Sequence, residues 1–217
     1  MGIRLDADQT VKIRVMDQRL ISYNIEMTEV TGGTFWKPYT PAQIAGTEAF
    51  PPVTDFNEFQ KLMGVFKPTD LSNERLIKLA KALGPVYIRV SGTWASSTYY
   101  DFSDAPDDQV PDGFSYKLTK KQWNGVLDFV KAVDGRLLVS VANCDGAHNE
   151  DGTWNPAQAK LLFDCSIAYG VPIYATEFMN EPTIPFMGGT PKQYKAKDYA
   201  RDQDLYYRFI RENYPDV

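Results

Sequence analysis

Apolar positions along the chain follow two patterns, one typical of β-strands and one typical of α-helices. Runs rich in β-branched and aromatic residues predict strands at Gln18–Met27, Val86–Ser91, Arg136–Ala142 and residues 171–180. After each run, apolar residues recur every three to four positions, which predicts helices at residues 70–83, 119–134, 155–170 and Ala200–Glu212. The predicted order is therefore a strand followed by a helix, repeated four times.

Local start signals support two of these helices. Thr119 and Gln122 have the T-x-x-Q spacing of a capping box. In this motif the threonine side chain accepts from the backbone N–H of the glutamine, and the glutamine side chain accepts from the backbone N–H of the threonine. Asn155 precedes Pro156, which predicts an N-cap residue followed by proline at the first helical position. Both helices should therefore begin within a residue or two of these signals.

Strict alternation of strands and helices predicts an α/β fold with parallel strands and right-handed crossovers. No G-x-G-x-x-G fingerprint of a dinucleotide-binding doubly wound sheet is present in the sequence. Polar residues instead follow the predicted strands, at Asn24, Glu26, Ser91–Trp94, Asn143 and Asn180–Glu181. This placement favours a (β/α)8 TIM barrel, in which the strand ends carry the active site. Only the first four βα units are present, so we expect half a barrel.

Composition and charge narrow the classes of partner. The 217 residues are 43% hydrophobic and carry a formal net charge of −5, without a long basic run, which argues against nucleic acid as the main partner. No apolar stretch approaches 18 residues, so no membrane span is expected. Two cysteines, Cys144 and Cys165, are too few for a disulfide scaffold, and unpaired thiols are favoured. No metal site or cofactor is predicted.

The segment EFMNEPT, residues 177–183, carries two carboxylates and an amide beside a proline. Proline disfavours the helical region for the residue before it and offers no N–H, so we expect Glu181 to be extended at the end of its strand. A carboxyl group in a confined cleft has its charged form disfavoured and can act as a general acid. Asn180 can bond a substrate hydroxyl, which suits glycoside hydrolysis. The alternative is that Asn180, Glu181 and Pro182 form a polar turn.

Three segments in order, LAKALGPVYIRVSGT, TWNPAQAKLLFDCSIAYG and EFMNEPT, resemble the retaining glycosidases of clan A. More narrowly, they are similar to glycoside hydrolase family 79, the heparanases and β-glucuronidases. The resemblance extends over residues 18–217 and implies a TIM barrel, of which this chain would be the N-terminal half. It also implies a small β-sandwich to which an N-terminal strand contributes, here within residues 1–17 and most simply at Ile3–Val15.

The resemblance assigns roles residue by residue. Glu181 matches the family's acid/base and Asn180 matches the amide before it. Glu26 falls where the family has an acidic residue that touches the sugar, and Thr93 matches a substrate-contacting threonine. Arg89 resembles the clan's inward-pointing arginine near the catalytic carboxylates.

The chain departs from the family's pattern at three points. Ser91 stands where the family has the first of two glycines, and Met179 replaces a glycine that commonly precedes Asn-Glu-Pro. The family's nucleophilic glutamate follows the seventh strand, which this chain does not include. We therefore expect a second chain, or a further part of the same protein, to supply the nucleophile and strands five to eight.

Four other features have open interpretations. Glu177 shares strand parity with Glu181, and a structural pairing with a base such as Arg89 competes with a direct catalytic role. Asn143 could contact substrate or cap a loop, and Trp94 could stack on a sugar or pack under a loop. The single histidine, His148, lies in a polar loop and is predicted to be non-catalytic.

A long aromatic segment, Thr31–Gln43, follows the first predicted strand. Long loops in compact domains are often functional, so this segment could wall the substrate cleft.

Three functions remain open at this stage. The first is a retaining hydrolase of β-linked glucuronides or uronate-containing polysaccharides, a substrate class that would favour a secreted or periplasmic protein. The second is another clan A retaining glycosidase that acts on neutral sugars. The third is a sugar-binding half-barrel without turnover. A positively charged cleft would favour the first over the second, because its substrate carries a carboxylate.

Overall fold

A parallel four-stranded sheet forms the centre of the protein, in a computed structural model that describes residue 8 and residues 10–217. The strands are β1 Ser22–Glu26, β2 Gly33–Trp36, β3 Met63–Phe66, β4 Val86–Ser91, β5 Thr98–Asp101, β6 Tyr116–Thr119, β7 Gly135–Ser140 and β8 Ala175–Glu177. The central sheet has the order β1-β4-β7-β8. The helices are α1 Met27–Thr31, α2 Pro41–Ile44, α3 Phe56–Lys61, α4 Glu74–Ala82, α5 Lys120–Ala132, α6 Ala157–Ala168 and α7 Ala196–Asn213. The predicted mixed α/β class with parallel strands is confirmed.

The central sheet has one apolar face and one polar face. Along β4, Val86, Ile88 and Val90 are fully buried in the main hydrophobic core. Tyr87 and Arg89, which alternate with them, point to the other face and are only half-buried. The polar face therefore keeps room for side chains that serve a site.

Side chains from the helices after β4 and β7 complete the core. Trp123 of α5 is fully buried, and its indole N–H donates a 3.0 Å hydrogen bond to Ser166 of α6. The predicted capping box at the start of α5 is confirmed, since Thr119 and Gln122 bond each other's backbone N–H groups. Asn155 accepts from the Ala157 N–H at 2.9 Å, but the predicted start of α6 is wrong by one residue, since the helix begins at Ala157 with Pro156 as its N-cap residue.

Two small sheets that the sequence did not predict flank the central one. Strands β2 and β3 pair in antiparallel fashion, although 26 residues separate Trp36 from the start of β3. Strands β5 and β6 pair in parallel beyond the end of β4. One small sheet lies in the connection between β1 and β4, and the other lies in the connection between β4 and β7. Both connections follow the carboxyl end of a central strand, which is the end where the predicted site lies.

Several predicted boundaries are wrong. The first strand begins only at Ser22, and the last strand spans only Ala175–Glu177 and so ends three residues before Asn180. The last helix begins at Ala196, four residues before the predicted start. Of the predicted N-terminal strand, residues 10–15 form no strand here, and residues 3–7 and 9 lie outside the described residues. A role for residues 1–17 in a β-sandwich stays a prediction.

The four strands in this order are compatible with part of an α/β barrel. Within the described residues, β8 pairs with β7 alone and β1 pairs with β4 alone, so both edges of the sheet are open. The two cysteines are unpaired, as the sequence favoured. None of the helices in the described part of the chain is long and apolar enough to cross a bilayer.

Candidate active site

Most of the predicted site residues line one cleft of about 350 Å³ at the carboxyl end of the central sheet. Two carboxylates, Glu26 and Glu181, share it with Thr93, Trp94 and Asn180. The same cleft is lined by apolar side chains, namely Phe35, Trp36, Phe59, Ile184 and Met187. Parallel strands bring these residues together because their carboxyl ends meet at one edge of the sheet.

Arg89 organises the polar face beneath this cleft. Its guanidinium donates to Asn24 Oδ1 and to Asn180 Oδ1, both at 2.7 Å. It also donates through Nε and Nη2 to Glu177 Oε1, with the Nε bond at 3.0 Å. The predicted pairing of Glu177 with Arg89 is confirmed. Through these bonds the planar guanidinium holds the amide of Asn180 in position. Arg89 itself does not line the cleft.

Ser91, the residue before Gly92, belongs to the same network. Its hydroxyl is fully buried and donates to Glu177 Oε1 at 2.8 Å, while Ser140 Oγ lies 2.7 Å away. A single oxygen of Glu177 thus accepts from Ser91 and from Arg89. These bonds support a structural role for Glu177 as the partner of Arg89.

Glu181 is held by two neighbouring polar side chains. Its Oε2 atom accepts from the Thr93 hydroxyl at 2.7 Å and from the Asn180 amide at 3.1 Å. No hydrogen bond to the other carboxylate oxygen, Oε1, is found within the described residues. One oxygen is therefore fixed in position, and the other is free to exchange a proton with a ligand.

The predicted backbone of Glu181 is wrong. Its φ is +48°, in the left-handed region, whereas the following proline led us to expect an extended residue. The Ile184 N–H donates to the Glu181 carbonyl at 3.0 Å, so the residue lies in a turn beyond β8. Non-glycine residues in this region store strain and concentrate at functional sites. The expected confinement is also absent, because Glu181 is exposed in this structure.

Glu26 lies at the end of β1 with its carboxylate against the backbone of Gly92. Asn24 donates to Glu26 Oε1 at 2.8 Å. A Cβ atom at position 92 would overlap the Glu26 carboxylate, and the φ of Gly92 is +102°. Only glycine fits there on both counts. Burial raises the pKa of Glu26 above its usual value, although the Asn24 bond and the Arg89 charge oppose the shift.

Aromatic rings form the walls of the cleft. The rings of Phe35 and Trp94 meet edge to face with centroids 5.6 Å apart, and those of Trp36 and Phe59 do so at 5.2 Å. Phe35 and Trp36 lie in the aromatic segment that the sequence indicated as a possible wall, and both line the cleft. Trp94 also lines it, as sugar stacking would require. Phe59 was missed, because only the β2–β3 pairing brings it here.

Asn143 lies away from the cleft. It is fully buried, and its amide donates to Met179 Sδ and to the Tyr194 hydroxyl, both at 3.3 Å. Its backbone N–H donates to the Ser96 carbonyl at 2.8 Å. These contacts fit the loop-cap interpretation and hold Met179, the residue before Asn180, in the protein interior.

A second polar cluster, the Asp202 cluster, lies behind the site. Asp202 has a fully buried side chain that accepts from Tyr194, Arg201 and the Trp154 N–H, and His148 Nε2 lies 3.1 Å from its Oδ2 atom. Burial alone would raise the pKa of Asp202, but the bonds from Arg201, Tyr194 and His148 outweigh burial and hold it below its usual value. His148 therefore has a structural partner, in line with the non-catalytic role predicted for it.

Within residue 8 and residues 10–217, no group of His, Cys, Asp and Glu side chains is arranged to hold a metal ion. Comparison with protein-family models and with curated proteins finds no match for this chain.

Proposed function

We propose that this chain is the N-terminal half of the catalytic barrel of a retaining glycoside hydrolase, with Glu181 as the acid/base. The observation that carries the proposal is the cleft itself. It combines the exposed Glu181 carboxylate, the Asn180 amide and the aromatic walls at the carboxyl ends of parallel strands. The resemblance of the chain to glycoside hydrolase family 79 supports the same assignment.

The proposed reaction has two steps. In the first, protonated Glu181 gives its proton to the glycosidic oxygen, while a second carboxylate bonds to the anomeric carbon and the bond to the leaving oxygen breaks. In the second, ionised Glu181 takes a proton from water, and the resulting hydroxyl displaces the second carboxylate. The sugar leaves with its original anomeric configuration. Thr93 and Asn180 keep Glu181 Oε2 in place through both steps.

The second carboxylate must lie about 5–5.5 Å from Glu181. Glu177 is a poor candidate, because one of its oxygens accepts from Arg89 and Ser91. We therefore assign the nucleophile to a segment that continues the sheet beyond β8, in this protein or in a partner chain. That segment would also confine Glu181, which is exposed in the structure of this chain. The open edge of β8 supports this completion of the barrel.

The family resemblance makes β-linked glucuronides or uronate-containing glycans the first candidate substrates. One observation favours neutral sugars as a second candidate. The described residues that line the cleft include two glutamates but neither lysine nor arginine, and the guanidinium of Arg89 is bonded to Glu177, Asn24 and Asn180. A carboxylate-bearing sugar would need positive charge supplied by the rest of the barrel.

The test is a screen of aryl β-glucuronides and aryl β-glucosides against the complete protein. We expect hydrolysis of one of the two series, with retention of configuration seen by proton NMR of the first-formed sugar. A first product of inverted configuration would refute the retaining mechanism. Absence of turnover on both series would leave the binding-only alternative in its place.

A further inference from the structure

A second groove adjoins the proposed active-site cleft, and Trp36 lines both. This groove has a volume of about 670 Å³ and is built on the segment between β2 and β3. The side chains that give it its character are largely apolar, namely Tyr39, Phe50, Pro51, Val53 and Leu62. A bound molecule that reached past Trp36 from the cleft would enter this groove.

The aromatic rings of the groove are exposed to an unusual degree. Tyr39 is 65% exposed and Phe50 is 58% exposed, and their rings meet edge to face with centroids 5.0 Å apart. Trp36 is 44% exposed beside them. Apolar surface left open next to a cleft marks a binding region more often than isolated exposed residues do.

Charged and polar side chains of the groove are engaged with one another. Lys37 Nζ donates to the Lys61 carbonyl at 2.9 Å, and Lys61 Nζ donates to Glu58 at 2.6 Å. The hydroxyl of Thr40 donates to Glu48 at 2.9 Å. A sugar unit in the groove would find few protein side chains free to bond its hydroxyl groups, which would be left to water and add no affinity. A planar apolar group would instead stack on exposed rings and lose nothing in hydrogen bonding.

We propose that the groove lined by Trp36, Tyr39 and Phe50 is a subsite for an aromatic leaving group of the glycoside. This inference rests on the proposed function, since the leaving group is the part of the substrate that receives the Glu181 proton. It makes the preferred substrate an aryl glycoside, not a polysaccharide. Trp36 then contacts substrate in the cleft and in the groove.

The experiment measures binding directly, with 4-methylumbelliferone and methyl β-D-glucoside as probes. The complete protein is labelled with 5-fluorotryptophan, and the Trp36→Phe variant identifies the Trp36 signal in fluorine NMR. We expect 4-methylumbelliferone to shift that signal. Tyr39→Ala and Phe50→Ala should each raise its Kd about tenfold, the effect of losing one aromatic contact. Tyr207→Ala is the matched control, because Tyr207 is an exposed tyrosine of α7 outside both cavities.

The outcomes separate the subsite from the hydrolase. An unchanged Kd in both groove variants, or a shift confined to other tryptophans, overturns the subsite even if the complete protein hydrolyses glycosides. Binding that shifts Trp36 and weakens in both variants supports the aryl site. If that binding occurs and the complete protein turns over no aryl glycoside, the proposed hydrolase is wrong. Because Tyr39 and Phe50 are exposed, their loss should leave thermal unfolding unchanged, which circular dichroism verifies.

Discussion

The Asp202 cluster and the Arg89 network are both built around a carboxylate and an arginine, yet they differ in how fully they are bonded. The Asp202 side chain is 0% exposed, and each of its oxygens accepts from at least two donors. Glu177 in the Arg89 network is 38% exposed, and beside it Glu181 keeps one oxygen without a described partner. A saturated cluster can only stabilise the fold, whereas an open one can also bind a ligand.

The largest expected effect is on stability, at the saturated cluster. Asp202→Ala should lower the free energy of unfolding by about 2–4 kcal/mol, because the Trp154 N–H and the Tyr194 hydroxyl lose their acceptor, whereas Arg201 is 38% exposed and can turn to water. Denaturant unfolding followed by circular dichroism measures it. Asp104→Ala is the control, since Asp104 pairs with Lys120 at an exposed site and its loss should change stability little. Equal losses in the two variants would contradict the comparison.

The same cluster predicts a dependence of stability on pH. The pKa of Asp202 is lower in the folded protein than in the unfolded chain. Its contribution to stability is therefore fully present above the unfolded value of about 3.9 and is lost as the pH falls through the folded value. The acid unfolding curve of Asp202→Asn should be flatter than that of the wild type below about pH 4. Parallel curves would show that Asp202 is not the carboxylate responsible.

At Glu181, beside the Arg89 network, a substitution should change activity and leave stability unchanged. Glu181→Gln should reduce turnover of substrates with poor leaving groups by about 10²-fold or more, the size of general acid–base catalysis. Substrates with good leaving groups should lose less in the first step. Steady-state kinetics on paired substrates measures the difference, with Glu150→Gln as a control at an exposed loop carboxylate outside the cleft. Unchanged turnover of the poor leaving group would refute the acid/base assignment.

The Gly92→Ala substitution tests whether activity depends on the position of the Glu26 carboxylate, which lies against the backbone of Gly92. Gly92→Ala should destabilise the fold by about 1–3 kcal/mol, because alanine at positive φ is strained. It should also raise KM, because the added Cβ would displace the Glu26 carboxylate. Thermal unfolding and kinetics measure the two effects.

The matched control is Gly125→Ala in α5, where nothing lies within 4 Å of an added Cβ. That change should leave KM unchanged and raise helix stability by up to about 1 kcal/mol. A KM for Gly92→Ala equal to that of the wild type would show that Glu26 does not contact substrate.

The smallest expected effect is at Glu26. Its raised pKa means that the ionised carboxylate is disfavoured in the folded state, so stability falls as the pH rises from about 4 through the folded value. Glu26→Gln should remove this fall and so be no less stable than the wild type at neutral pH, while binding of sugar weakens. Unfolding at a series of pH values is the measurement. A glutamine variant that is less stable at neutral pH would contradict the assignment.

Local signals in the sequence were sufficient for several elements. The Thr119–Gln122 capping box begins α5 where it was predicted, and the residues of β4 match the predicted strand. Glu177 pairs with Arg89, one of the two interpretations that the sequence left open, but its parity with Glu181 does not apply because β8 ends at Glu177. The polar residues at strand ends were also sufficient to bring Glu26 and Glu181 into one cleft.

What the sequence by itself determined, then, is the order of the four central strands and of helices α4–α7, together with the set of polar residues at one end of the sheet, since periodicity and caps act over a few residues. Only the tertiary structure decided the left-handed backbone of Glu181, where the surrounding contacts override the preference imposed by Pro182. It also decided the antiparallel pairing of β2 with β3, which places Trp36 and Phe59 in the cleft. Such pairings join residues far apart in the chain, and no local pattern records them.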